Sequence, residues 1–162
     1  MFFARVLVLA SFVALAAGSH ANAENKISDD LKTILEKADK FELLSLNPEY
    51  LKEKPADGFH GWGVLGRTTV KDADVQKTLL AALEKGVEEN KGEVARCFNP
   101  RHGIRVTHGD KTADFVICFE CYQVKAFVGE EGKKDFLVTR SPQPAFDKVL
   151  TDAKVPLPPA RK

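Results

Sequence analysis

Apolar side chains recur at helical spacing in three stretches of this chain and at every second residue in several others. In the first stretch, Leu31, Ile34, Leu35 and Ala38 line one face of a helix predicted over 27–40. Ser28 suits its N-cap, and Asp29 and Asp30 suit its positive end. The clearest helix is predicted over 72–90, with Asp72 as cap, a stripe of Val75, Leu79, Leu83, Gly86 and Val87, and a stop at Asn90-Lys91-Gly92. Gly86 sacrifices about 1 kcal/mol of helix propensity, which close contact with a neighbouring element would explain. A third helix is expected after Ser141-Pro142, with Ser at the cap, Pro at the first helical position, and Phe146, Val149, Leu150 and Ala153 on its apolar side.

Period-2 alternation predicts the strands. Residues 41–46 form a short one, and 47–58, with its two prolines and closing Gly, form a loop. Residues 59–70 form a longer strand with His60, Trp62, Val64, Thr68 and Val70 on one side, and Gly61 and Gly63 marking a bulge or close backbone approach on the other. Residues 101–107 and 112–128 alternate as two strands joined by a two-residue turn at Gly109-Asp110. That turn opposes Val106 to Ala113, Ile104 to Phe115 and His102 to Ile117 on an apolar face. On the other face it opposes Thr107 to Thr112, Arg105 to Asp114, Gly103 to Val116 and Arg101 to Cys118. A slip of one residue would part Arg105 from Asp114 and split the apolar rows between faces. A second turn at 129–132, a last strand at 135–139 and an extended or loose tail from 155, with three prolines, complete the pattern. The expected fold class is α+β: one antiparallel sheet of four to five strands with two or three helices packed on one face.

The N-terminus changes the setting. Arg5 is followed by the apolar run 6–17, broken only by Ser11, and by Ala21-Asn22-Ala23, the three parts of a secretory signal peptide over residues 1–23. The run is about a dozen residues, against the roughly 20 that a membrane span requires. Cleavage would leave 24–162 as one α+β domain with a core over about 28–155, located in the periplasm or outside the cell. Arg5 is the only charge in the leader, so the formal +1 of the whole chain falls to zero. No basic cluster is denser than Lys133-Lys134, which argues against a nucleic-acid partner, and no further long apolar segment predicts a membrane span.

Three cysteines, Cys97, Cys118 and Cys121, fall in the mature part, and an oxidising compartment favours one bridge with one thiol left over. In a straight strand Cys118 and Cys121 would lie about 10 Å apart, too far to bond to each other. The expected disulfide is therefore Cys97–Cys121, reached because Asn99 and Pro100 make the chain irregular before the hairpin. Cys118 would remain in the sheet as a candidate thiol, with Arg101 opposite it to stabilise a thiolate, and His102 and Glu120 as neighbouring polar groups. A zinc set of Cys97, His102, Cys118 and Cys121 has suitable ligand types, but Phe119-Glu120 lacks the Gly or Pro of a metal knuckle, so no metal is expected. Tyr122 stands where a c-type haem would need its histidine, no P-loop, hydrolase elbow or EF-hand pattern occurs, and no cofactor is expected.

The runs Phe59-His60-Gly61-Trp62, Cys97-Phe98-Asn99-Pro100-Arg101-His102-Gly103 and Ile117-Cys118-Phe119-Glu120-Cys121 resemble those of small exported bacterial proteins of unassigned function. The resemblance spans roughly 28–157; it implies a shared fold and carries over no site residue. The reading favoured at this point is a non-enzymatic envelope protein that binds a ligand or partner and is stabilised by one disulfide. The alternative is a thiol-redox or metal-binding protein built on the cysteine cluster.

Overall fold

The first helical stripe folds as α1 (Asp29–Glu36), burying Leu31, Ile34 and Leu35. It ends earlier than its apolar spacing predicts because β1 (Lys40–Leu46) has already begun and the Asp39 N–H donates to Thr107 O. The computed structural model describes residues 25–49, 57–129 and 132–159; the leader expected at 1–23 lies outside them. Next come β2 (Val64–Thr69) and α2 (Ala73–Glu89). Asp72 caps α2, its Oδ1 accepting from the backbone N–H groups of Asp74 and Val75. Then follow β3 (His102–His108), β4 (Lys111–Cys118), β5 (Gln123–Val128), β6 (Lys133–Leu137) and α3 (Gln143–Asp152).

The sheet is antiparallel throughout, with strand order β2-β1-β3-β4-β5-β6. The β3–β4 register is the one the sequence predicts, from His108 against Lys111 to His102 against Ile117. Gly109 alone in that turn takes a positive φ, +60°, where a type II′ turn requires glycine. The strand count is six and not four to five, because the alternation over 112–128 does not run through. It breaks into one 3₁₀ turn (Phe119–Cys121), Tyr122 enters the left-handed region at φ 60°, and the chain reverses so that Cys118 pairs with Gln123.

One face of the sheet carries Phe41, Leu43, Ile104, Phe115, Ile117 and Val124 against all three helices in a single apolar cluster. Gly86 is where α2 meets the chain leaving β6: Thr139 N–H donates to Gly86 O, and a Cβ at 86 would sit 2.5 Å from Pro142 Cγ. The propensity lost at Gly86 thus allows a close helix–loop contact. Asn90, buried after the helix, donates to Glu93 O and Val138 O and accepts from Gly92 and Glu93, so its amide is fully used. Asn25 clamps the start of the described chain to β6 by exchanging hydrogen bonds with both backbone groups of Leu137.

The second face has a smaller core of Leu44, Leu46, Val116, Phe59 and Trp62. Residues 59–62 are not the first part of a strand, as alternation predicts. Phe59 and Trp62 exchange backbone hydrogen bonds around His60 and Gly61, which both take positive φ (50° and 90°), the geometry of a type I′ turn. The turn lies on the sheet because Gly103 leaves room: a Cβ there would meet Phe59 Cε1 at 2.9 Å. The tail after α3 touches the sheet at two points: Val155 covers Gly66 of β2, and Arg101 Nη1 donates to Pro159 O.

Candidate functional site

The β4–β5 turn places all three sulfurs together. Cys118 and Cys121 lie on its two sides with Cα atoms 5.1 Å apart, and they form the disulfide. The segment before β3 returns across the turn: Ala95 N–H donates to Cys121 O, and Gln123 Nε2 donates to Ala95 O and Cys97 O. This holds the Cys97 sulfur 3.2 Å from Cys121 Sγ. Asn99 brackets the disulfide, its N–H 3.4 Å from Cys121 Sγ and its carbonyl oxygen 3.3 Å from Cys118 Sγ. Cys118 and Cys121 are buried, and Cys97 is half-buried.

Two sequence expectations are corrected here. The disulfide joins Cys118 to Cys121 and leaves Cys97 as the free thiol, where the sequence pointed to Cys97–Cys121 with Cys118 free. The cause is the 3₁₀ turn, which replaces the straight strand that would have kept Cys118 and Cys121 apart. Arg101 consequently serves no Cys118 thiolate: its Nε lies 3.5 Å from Glu120 Oε1, and its Nη1 is taken by Pro159 O.

The weak metal set is not assembled either. His102 lies on the helix-facing side of the sheet, between the rings of Phe119 and Phe146, with Nε2 2.8 Å from Asp147 Oδ1. Two of the three proposed thiolate ligands are bonded to each other. Among the described residues no group of three or more His, Cys, Asp or Glu side chains is arranged to hold a metal ion.

His102 opens onto a polar cleft of about 210 Å³, lined by Arg101, Glu120, Gln143, Asp147, Leu157 and Pro158. Burial pushes the Asp147 carboxyl up, but the hydrogen bonds from His102 and Gln143 and the attraction of His102 and Arg101 together outweigh it and hold the group below the ordinary carboxylate value. Two buried polar atoms near this end of the sheet lack a hydrogen-bond partner: His102 Nδ1 and the hydroxyl of Ser45, which is paired with His102 across β1 and β3. Buried polar atoms are normally satisfied by protein groups or ordered water. Sequence reasoning reached Arg101, His102 and Glu120 but not Asp147, Gln143 or Ser45. Ser45 had a visible signal, a hydroxyl within the apolar run Leu43-Leu44-Ser45-Leu46.

A second polar cluster occupies the opposite face. Arg105 grips Asp114 with two hydrogen bonds of 2.8 and 2.7 Å, and His60 Nε2 meets the same carboxylate at 2.8 Å while its ring stacks on Phe127. Burial raises the Asp114 pKa, yet the bonds from Arg105 and His60 dominate and the net shift is downward. The opposition of Arg105 and Asp114 was legible from the hairpin register; the arrival of His60 was not.

Among the described residues no helix is long and apolar enough to cross a membrane. No family model matches the chain, and no curated protein matches it. Among solved structures, one described as "Crystal Structure of Putative Lipoprotein from Clostridium perfringens" is similar at 13% identity and a TM-score of 0.44, covering 75% of this chain and 91% of that one.

Proposed function

We propose that this chain is an exported envelope protein, periplasmic or extracellular, that binds a small dipolar ligand in the cleft between β3, α3 and the C-terminal tail. Export is supported by the leader pattern ending at Ala21-Asn22-Ala23, by a disulfide of the kind that persists in oxidising compartments, and by the resemblance to small exported bacterial proteins. The observation that carries the binding reading is the His102–Asp147 pair, Nε2 2.8 Å from Oδ1, at a cleft that also presents Arg101 and Glu120. Donor and acceptor groups of both charges suit a molecule carrying an ammonium and a carboxylate, and the volume suits one of only a few heavy atoms.

Binding is favoured over catalysis by accessibility. Ser45, His102 and Asp147 occur together like a nucleophile, base and orienting acid, but Ser45 is 0% exposed, so its hydroxyl has no route to a substrate. The test is titration calorimetry of the mature chain against glycine, alanine and serine. The expected result is saturable heat with at least one of them, abolished in Asp147→Asn. Heats indistinguishable from dilution across the whole set would reduce the cleft to a hydrated structural feature. Fusion of residues 1–30 to a reporter active only outside the cytoplasm tests export separately.

A further inference from the structure

We propose that Cys97 exchanges with the Cys118–Cys121 disulfide, so that the protein switches between a half-exposed thiol and a buried one without any change in oxidation state. This reaction stands on the sulfur cluster alone and is independent of what the cleft binds. The free Cys97 sulfur lies 3.2 Å from Cys121 Sγ, within the roughly 3–3.5 Å at which reacting atoms are already in a near-attack arrangement. The approach is imposed by the fold: Gln123 bonds the carbonyls of Ala95 and Cys97, and Ala95 bonds the Cys121 carbonyl.

The exchange balances within the chain. The Cys97 thiol releases its proton to solvent and the sulfur attacks Cys121 Sγ. The Cys97–Cys121 bond forms, the Cys118–Cys121 bond breaks, and its electron pair leaves on Cys118 Sγ, which takes up a proton. Both products are prepared for. The Asn99 carbonyl, 3.3 Å from Cys118 Sγ, is placed to accept the new S–H, and the Asn99 N–H stays beside the central sulfur, 3.4 Å away. Cys121 is bonded in both pairings, and only its partner changes.

The two pairings differ in what they show to the surroundings. With Cys118–Cys121 bonded, both disulfide cysteines are 1% exposed and the less buried cysteine, Cys97, carries the thiol. With Cys97–Cys121 bonded, the reachable sulfur belongs to a disulfide, and the thiol is sealed in the sheet. The switch therefore decides whether the molecule meets a small thiol such as glutathione as a fellow thiol or as a reducible disulfide.

The experiment is peptide mapping of the wild-type mature protein after acid quenching, which halts exchange, together with reduction kinetics in glutathione. Both linkages, Cys97–Cys121 and Cys118–Cys121, are expected in one preparation. In Cys97→Ser, whose remaining disulfide has no reachable sulfur, glutathione should reduce the bond about tenfold more slowly than in wild type. Native emission from Trp62 certifies that the variant is folded. A single linkage in the quenched wild type, whichever it is, or equal reduction rates in the two folded proteins, would overturn the exchange.

Discussion

A methyl group at Gly86 would lie 2.5 Å from the Pro142 ring, so α2 accepts no side chain where the chain leaving β6 crosses it. Gly86→Ala gains about 1 kcal/mol of helix propensity. It also forces apart a proline ring and Val138, and such overpacking costs about 1–3 kcal/mol. The net expectation is a lowered urea midpoint with an unchanged slope. A stabilised variant would mean that the Pro142 loop yields without cost.

That contact shows what the sequence could and could not disclose. Gly86 announced an approach of some element but not which one, because the partner lies far along the chain. The β3–β4 register was legible because a two-residue turn, an apolar row and the Arg105–Asp114 pair all depend on it. The β4–β5 reversal was missed although a signal existed. Residues of the helix-covered core are odd-numbered at Ala113, Phe115, Ile117 and Phe119, then even-numbered at Val124, Ala126 and Val128. An unbroken strand cannot change parity, so the shift marks a turn. Missing it stretched the distance between Cys118 and Cys121, and the disulfide went to the wrong pair. His60 was misplaced for a different reason: alternation over 59–70 does not distinguish a strand from a tight turn lying on a sheet.

Gly103 governs the second face. With a Cβ at 103 only 2.9 Å from Phe59 Cε1, Gly103→Ala should lift the 59–62 turn while leaving the helix-covered core in place. Trp62 is the only tryptophan and is buried in that turn, so its emission reports the change. A red shift with little loss of far-ultraviolet helical signal is expected. An unshifted spectrum would show that the turn does not depend on the glycine.

Acid should unfold the protein through its carboxylates. The hydrogen bond from Lys134, aided by Ser28, lowers Asp30 to about 2, and Asp114 and Asp147 are also depressed in the folded state. A carboxyl whose folded pKa lies below its unfolded value adds stability that is fully present above the unfolded pKa and lost as pH falls through the folded one. The thermal midpoint should therefore drop most steeply from near pH 4 toward pH 2. Asp114→Asn should cost about 1.5–3 kcal/mol near neutrality, the range for charge-assisted hydrogen bonds, and should flatten the acid limb. A variant with the same acid slope as wild type would remove Asp114 from that account.

The two cysteine pairings close loops of very different length, and reduction should expose the difference. Cys118–Cys121 spans a sequence separation of 3, for which chain entropy gives about 2 kcal/mol. Cys97–Cys121 spans 24, for which it gives about 3.5 kcal/mol. Cys97→Ser fixes the short loop and Cys118→Ser leaves only the long one, so urea unfolding of each, with and without a phosphine reductant, measures the two contributions separately. The loss on reduction should be larger in Cys118→Ser by more than 1 kcal/mol. Because the longer loop restricts the unfolded chain more, a molecule that swaps to Cys97–Cys121 would resist unfolding better while hiding its thiol. Equal losses in the two variants would show that the native packing around Asn99, rather than loop length, sets the worth of either bond.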